Sequence, residues 1–117
     1  MNVLERDYYT IEAIELMPEA SQRDLAKYTG MSLGKVNYCL KELVQKGWIK
    51  AQEIQRADGR WAGLYLLTAK GRAAQSELTR NFLSYKMGEL EKLSAEIDRV
   101  HQTIRRIEWS INEWVIG

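Results

Sequence analysis

Between positions 32 and 41 the sequence gathers Ser32, Gly34, Lys35, Asn37, Tyr38 and Lys41. Their side chains offer hydroxyl, ammonium, carboxamide and phenol groups, all of which donate hydrogen bonds, and no carboxylate stands among them. Further along, Arg56 and Arg60 flank Ala57-Asp58-Gly59. Cations and neutral donors in this mixture suit an anionic surface with acceptors at its edges, as a nucleic-acid duplex presents. Bond-making chemistry finds no support. The chain has no Gly-rich phosphate loop, no Cys-His or Ser-His-Asp constellation and no carboxylate pair in an evident cleft. One cysteine (Cys39) and one histidine (His101) form no cluster at metal-ligand spacing, so neither metal nor cofactor is expected.

Ser32–Gly47, SLGKVNYCLKELVQKG, reads as the helix that carries most of these groups. Leu33, Val36, Leu40, Leu43 and Val44 recur at helical spacing as an apolar stripe, and Gly34, Lys35, Tyr38, Lys41 and Gln45 lie roughly opposite. Ser32 is placed to cap the start, and Gly47 sits where a left-handed stop belongs. A glycine in the first turn costs about 1 kcal/mol against alanine. Gly34 offsets that cost if a groove wall must come close. The pattern fits a recognition helix in a major groove, with Lys35, Asn37 and Tyr38 on bases and Ser32 and Lys41 on phosphate. Taken alone it also fits an ordinary amphipathic core helix, with Asn37 a polar residue on its edge.

The flanking sequence favours the first reading. Ser21-Gln22-Arg23-Asp24 has the form of a capping box opening a short helix that Gly30 ends. Leu25, Ala26 and Tyr28 are its candidate inward residues. A short helix, a glycine turn and a second amphipathic helix make a helix-turn-helix. Before it, residues near Leu4 to Met17 form a support helix with Leu4, Tyr8, Ile11 and Ile14 on one side and acids on the other; Pro18 ends it. After it, Trp48–Ile54 and Trp61–Leu67 read as two strands joined across Asp58-Gly59, a strong hairpin signal. Leu64, Leu66 and Leu67 cannot all face one way, so the register is open. Helix-turn-helix plus hairpin is a winged helix, with Arg56 and Arg60 projecting from the wing tip onto backbone phosphate or into a minor groove. The alternative is a solvated turn in which Arg60 pairs with Asp58.

Charge is distributed to match. The whole chain of 117 residues carries a net +1. Residues 1–20 hold one Arg against five acids, a net −4; residues 21–70 hold nine Lys and Arg against four acids, a net +5; residues 71–117 hold seven of each sign. The basic excess is confined to the segment with the proposed reading helix. A composition of 45% hydrophobic and 28% charged residues is ordinary for a soluble globular chain. No membrane-spanning run or secretory signal is evident, and the lone cysteine agrees with a reducing compartment, so a cytoplasmic, nucleoid-associated protein is expected.

From Thr68 a helix is expected to run nearly to the end. Leu83, Leu90, Ile97, Ile104 and Ile111 occupy one heptad position, and Lys86, Leu93, Val100, Ile107 and Trp114 the other. Lys86 and Trp114 fit less well and mark fraying ends. Branched residues at the first position with Leu or Val at the second lean toward two parallel strands. The seam spans about 47 Å, too long for so small a domain to cover, so a second copy is the expected cover. Folding back onto the same domain is the alternative. His101 stands beside the seam, within reach of a partner's Glu96. The organisation expected is mainly α: a winged helix-turn-helix over 1–70 and a coiled-coil dimerisation helix over 71–117. Two reading heads related by a two-fold axis match a palindromic site with half-sites about 34 Å apart. The competing class is a winged-helix protein-interaction adaptor whose coiled coil binds another protein. Cys39, at the edge of the apolar stripe, reads as a packing residue rather than an oxidant sensor. Trp48, Trp61, Trp109 and Trp114 read as core, strand and interface fillers.

SQRDLAKYTGMSLGKVNYCLKELVQKGWIK, then ADGR, then YLLTAKG resemble the MarR-type winged-helix transcriptional regulators, above all their small exopolysaccharide-associated branch. The likeness covers roughly Ser21 to Ile97. It implies a bacterial, dimeric, sequence-specific DNA-binding protein that acts on transcription. The family's wing motif maps onto Asp58, Arg60, Leu67 and Thr68, with one extra residue between wing and Leu-Thr. Wider-family members carry more N-terminal helix, which weakens any carry-over of the effector pocket some of them form. No residue shows the polysaccharide link that the branch name implies.

Overall fold

The structure, a computed structural model, describes residues 1–116, without the side chains of Trp61, Ala62, Val115 and Ile116. Trp61 as a strand filler therefore lies outside the described residues. Six elements follow one another: α1 (Val3–Leu16), α2 (Gln22–Thr29), α3 (Leu33–Gln45), β1 (Ile49–Gln55), β2 (Trp61–Leu67) and α4 (Ala69–Ile116). The architecture is the expected one, mainly helical with a two-stranded wing and a long C-terminal helix. The chain divides into two compact units, Met1–Phe82 and Leu83–Gly117.

Local chemistry explains the boundaries in the first unit. Asn2 opens α1 with a capping box: its side-chain oxygen accepts from the Glu5 amide at 2.8 Å, and Glu5 Oε1 accepts from the Asn2 amide at 3.4 Å. Pro18 closes the helix by holding Met17 out of helical geometry, at φ −137° and ψ 72°. Ser21 and Asp24 complete the box expected at α2, with Asp24 N donating to Ser21 Oγ at 3.1 Å and Ser21 N to Asp24 Oδ2 at 3.0 Å. These bonds hold the Asp24 carboxyl below its ordinary pKa. Gly30, at φ +77°, turns the chain into α3.

α3 ends in a Schellman motif. The Trp48 amide donates to the Leu43 carbonyl at 3.0 Å and the Gly47 amide to that of Val44 at 2.9 Å, with Gly47 at φ +75°. Thr68 then ties the far end of the wing to this stop. Its hydroxyl donates to the Gly47 carbonyl at 2.5 Å and accepts from the Gly71 amide at 3.0 Å, which caps α4 as expected.

The core lies where α1, α2 and α3 meet the start of β1, around Ile11, Ile14, Leu25, Val36, Leu40, Leu43 and Ile49. The antiparallel register pairs Ile49 with Leu67 and Gln55 with Trp61. It resolves the leucine ambiguity: Leu67 and Tyr65 pack against the core, and Leu64 and Leu66 alternate to the other face. Four expectations are corrected. Leu33 and Val44 are exposed, and the buried stripe of α3 is Val36, Cys39, Leu40 and Leu43. Cys39 is therefore central to the stripe and not at its edge. Tyr28 is exposed, its hydroxyl donating to Glu12. Asp7 does not join the outward acids of α1: it is 4% exposed, beside a buried Arg6.

In the second unit α4 carries an apolar row on a helix whose other faces are mainly polar, with Met87 and Trp109 exposed outside the row. Leu83, Leu90, Leu93, Ile97, Val100, Ile104, Ile107, Ile111 and Trp114 are all exposed in the single chain, and Lys86 pairs with Glu89 at 3.0 Å. No helix among the described residues is long and apolar enough to cross a membrane.

Candidate nucleic-acid interface

Gly34, Lys35, Tyr38 and Lys41 share the exposed side of α3, and Ser32, also exposed, caps its start. Their direction follows from burial of Val36, Cys39, Leu40 and Leu43, which leaves the opposite arc to water. Ser32 Oγ is committed to capping, accepting from the Lys35 amide at 3.2 Å. A Cβ added at Gly34 would meet no atom within 4 Å, so the empty position is open to an approaching surface. Tyr38, 61% exposed, stands over the guanidinium of Arg6, whose central carbon lies 5.7 Å from the ring centre.

Asn37 is half-buried and held in a relay. Its amide nitrogen donates to Gln22 Oε1 at 3.1 Å, and Gln22 Nε2 donates to the Tyr65 hydroxyl at 3.3 Å. The relay lines an open cleft of about 340 Å³ between α3 and the wing, with Lys41, Val44 and Gln45 along its side. Asn37 therefore presents a fixed carboxamide edge at the cleft and not a freely projecting group.

α3 has a single acid, Glu42, and the fold withdraws it. Glu42 Oε2 lies 3.0 Å from Arg6 Nη2, and Glu42 Oε1 lies 3.5 Å from Lys46 Nζ. Arg6 also reaches Asp7 Oδ1 at 3.3 Å, and Lys46 lies 3.8 Å from Asp7 Oδ2. Burial works against the Arg6 charge, but Asp7, Cys39 and Glu42 outweigh it and hold its pKa above the ordinary value. Lys35 and Lys41 are left without a neighbouring carboxylate on the outward face of their helix.

At the wing tip the Gly59 amide donates to the Arg56 carbonyl at 2.9 Å, and the Arg56 amide to the Arg60 carbonyl at 2.7 Å. Gly59 takes φ +84°, as a turn closed by a left-handed residue requires. Asp58 accepts from the Arg60 backbone amide at 3.0 Å, so its carboxylate braces the turn. Arg56 and Arg60 are both exposed, and Arg56 makes a loose 3.9 Å pair with Glu19. Such exposed pairs contribute little.

The eight candidate contact residues thus fall in two groups on one unit, six on α3 and its cap and two on the wing. Sequence reasoning did not find Arg6, Asp7, Gln22 or the Arg6–Glu42 pair. Arg6 and Glu42 are 36 residues apart in the chain, so no local spacing connects them. Cys39 is sealed against Thr10 Oγ1 at 3.4 Å and Asp7 Oδ1 at 3.6 Å, and burial pushes its thiol pKa up. Among the described residues no group of His, Cys, Asp and Glu could hold a metal ion.

Residues 10–50, from α1 to the start of the wing, match a family described as winged helix-turn-helix DNA-binding. No curated protein matches the chain. Solved structures are similar over most of its length. A MarR family transcription regulator is 18% identical, over 100% of this chain and 76% of that one, with a TM-score of 0.55. The PcaV transcriptional regulator from Streptomyces coelicolor, in complex with its natural ligand, is 21% identical over 86% and 71%, at 0.61. The MepR–DNA complex of S. aureus is 18% identical over 84% and 76%, at 0.55. The chain therefore has the winged helix-turn-helix fold of MarR family regulators.

Proposed function

We propose that this chain is a homodimeric, sequence-specific DNA-binding transcriptional regulator. The observation that carries the proposal is the outward face of α3, where Lys35, Tyr38 and Lys41 are exposed while the helix's only acid is held by Arg6 and Lys46. A duplex meeting that face encounters cations and donors with no carboxylate to repel it. Lys35, Tyr38 and the fixed edge of Asn37 read bases in the major groove, and Gly34 lets the groove wall approach. Ser32 and Lys41 hold phosphate beside them. Arg56 and Arg60 of the wing take backbone or minor groove to one side. The likeness to the MepR–DNA complex supports a duplex as the ligand of this fold.

Dimerisation completes the reading. The exposed apolar row from Leu83 to Trp114 is what a second copy of α4 would cover. Two heads then address a palindromic operator, and the modest basic excess of each is doubled. No catalytic activity, metal or cofactor enters this function, and the site of action is the cytoplasmic nucleoid. An adaptor reading draws on the same α4 row, which would bind a different protein instead. The outward cations of α3 have no role in it.

Selection from random duplex DNA, followed by salt titration of the winner, tests the proposal. A palindromic motif whose affinity falls steeply with salt supports it. Absence of enrichment, with only weak salt-labile binding, favours the adaptor.

A further inference from the structure

We propose that Arg6 is a positioning residue for the reading helix. The charge cluster it centres fixes the rotation of α3 against α1 and holds Tyr38 in place, so that Arg6 governs sequence discrimination without touching DNA. This rests on the DNA-reading function proposed above and adds to it a residue on the support helix.

Tyr38 and Glu42 of α3 and its C-cap Lys46, which keeps helical geometry, are spaced four apart, so they form one ridge along the surface. Arg6 and Asp7 of α1 lie against that ridge and engage all three of its members. Arg6 pairs with Glu42 at 3.0 Å, Asp7 faces Lys46 at 3.8 Å, and the Arg6 guanidinium carbon sits 5.7 Å from the centre of the Tyr38 ring. Arg6 is itself pinned by Asp7 Oδ1, which accepts from both Nε and Nη2 at 3.3 Å. Its backbone carbonyl accepts from the Thr10 hydroxyl at 2.7 Å, and that hydroxyl meets Cys39 of α3. The α1–α3 seam at this end is therefore a network of directional polar contacts.

Hydrocarbon packing alone would hold these helices together, and Ile11, Ile14, Val36, Leu40 and Leu43 already do so nearby. What hydrocarbon does poorly is fix an azimuth, because apolar contacts are non-directional. A rotation of α3 by one residue, about 100°, would break the contacts that cross from Arg6, Asp7 and Thr10 to Tyr38, Cys39, Glu42 and Lys46. Buried ion pairs often add little net stability over hydrophobic replacements, yet some are retained for the arrangement they specify. Here the arrangement specified is the helix that reads bases. Arg6 acts in a second way on the same face. An exposed tyrosine loses rotamer freedom when it binds, and a fixed cation behind the ring removes part of that loss beforehand. Arg6 also draws the Glu42 carboxylate away from the phosphates.

The test compares affinity for the selected operator with affinity for random duplex at one salt concentration. The full chain is used as parent, as the Arg6→Met/Asp7→Leu variant, and as Arg6→Lys. The double variant replaces the buried pair with hydrocarbon and leaves Glu42 its Lys46 partner, so its thermal midpoint stays near that of the parent. Its discrimination ratio is expected to fall about tenfold. Arg6→Lys keeps the charge and loses the planar fork, and its ratio falls by a smaller factor. Tyr38→Ala lowers the ratio in the parent and adds little in the double variant, since Arg6 acts through Tyr38. A merely structural Arg6 would give additive effects. An unchanged ratio in Arg6→Lys, which holds the test even if the double variant does not fold, overturns the proposal. So does a full Tyr38→Ala effect in both backgrounds. A parent that prefers no sequence overturns the DNA-reading function itself, and this inference with it.

Discussion

Lys35 and Tyr38 differ in how the fold supports them, and that decides what each loses on mutation. Lys35 is an exposed cation, whereas Tyr38 is backed by Arg6. Replacing both by alanine is expected to abolish sequence preference in the selection assay while leaving the oligomeric state in sedimentation unchanged. Neither side chain contributes to the core, so thermal stability should shift by no more than about 0.5 kcal/mol. Cys39 makes the opposite kind of prediction. Burial raises its thiol pKa, with the Thr10 hydrogen bond working the other way, so the fold favours the protonated thiol. The resulting stability is fully present below the thiol's unfolded pKa, about 8.5, and is lost as pH rises through the folded value. A urea midpoint that declines above that pH in the parent, and less steeply in Cys39→Ala, checks the sign. At neutral pH a disulfide reagent should label Cys39 no faster than the chain opens.

At the scale of elements, two glycines separate reading from folding. Gly34→Ala puts a methyl group into open space on the first turn of α3 and should stabilise the chain by about 1 kcal/mol. On the proposed function the same methyl group should weaken operator binding, because it would stand between α3 and the groove wall. Urea denaturation and operator affinity moving in opposite directions would show that Gly34 is kept for contact. Gly71 is buried in the first turn of α4, and a Cβ there would lie 2.8 Å from the Trp48 carbonyl carbon and collide with its oxygen. The Trp48 backbone is held by bonds to Leu43 and Thr68 and has little room to yield. Gly71→Ala should therefore cost about 1–3 kcal/mol in urea denaturation. The same pair shows what a sequence displays at this scale. Caps, turns and periodicity are local, so Ser21, Gly30, Ser32, Gly47 and the wing turn were readable from a few neighbouring residues. Leu33 and Val44 were misplaced because a helical wheel gives the width of an apolar arc and not its edges, which neighbouring elements set. The Arg6–Asp7–Glu42–Lys46 cluster was invisible because it joins residues on different helices, and an arginine in a helix usually faces water. For the same reason Asn37 reads from sequence as a projecting amide, when Gln22 in fact holds it.

For the molecule as a whole, the apolar row of α4 is the feature that a single chain leaves unresolved. Ile97 and Ile104 are each nearly half exposed on a helix whose other faces are mainly polar. A contiguous apolar strip of this length is costly in water and rarely stays uncovered. Its heptad period drifts only slightly around the helix, so the strip faces one partner throughout when two copies supercoil. In the proposed dimer, covering it would link two reading heads, so the second head would bind at the effective concentration set by the first. Affinity for a palindrome then exceeds affinity for a half-site by a factor on the order of 100 or more. Ile97→Lys together with Ile104→Lys places two charges in the middle of the strip and leaves the sequence of Met1–Phe82 unchanged. Sedimentation should show that variant as a monomer, with the circular dichroism of the winged helix retained. Its affinity for the full palindrome should fall to that for a half-site, while base preference within the half-site is unchanged. A dimer that survives these charges would place the interface elsewhere on the chain. A monomer that still binds the palindrome as tightly as the parent would mean that the two heads do not need each other.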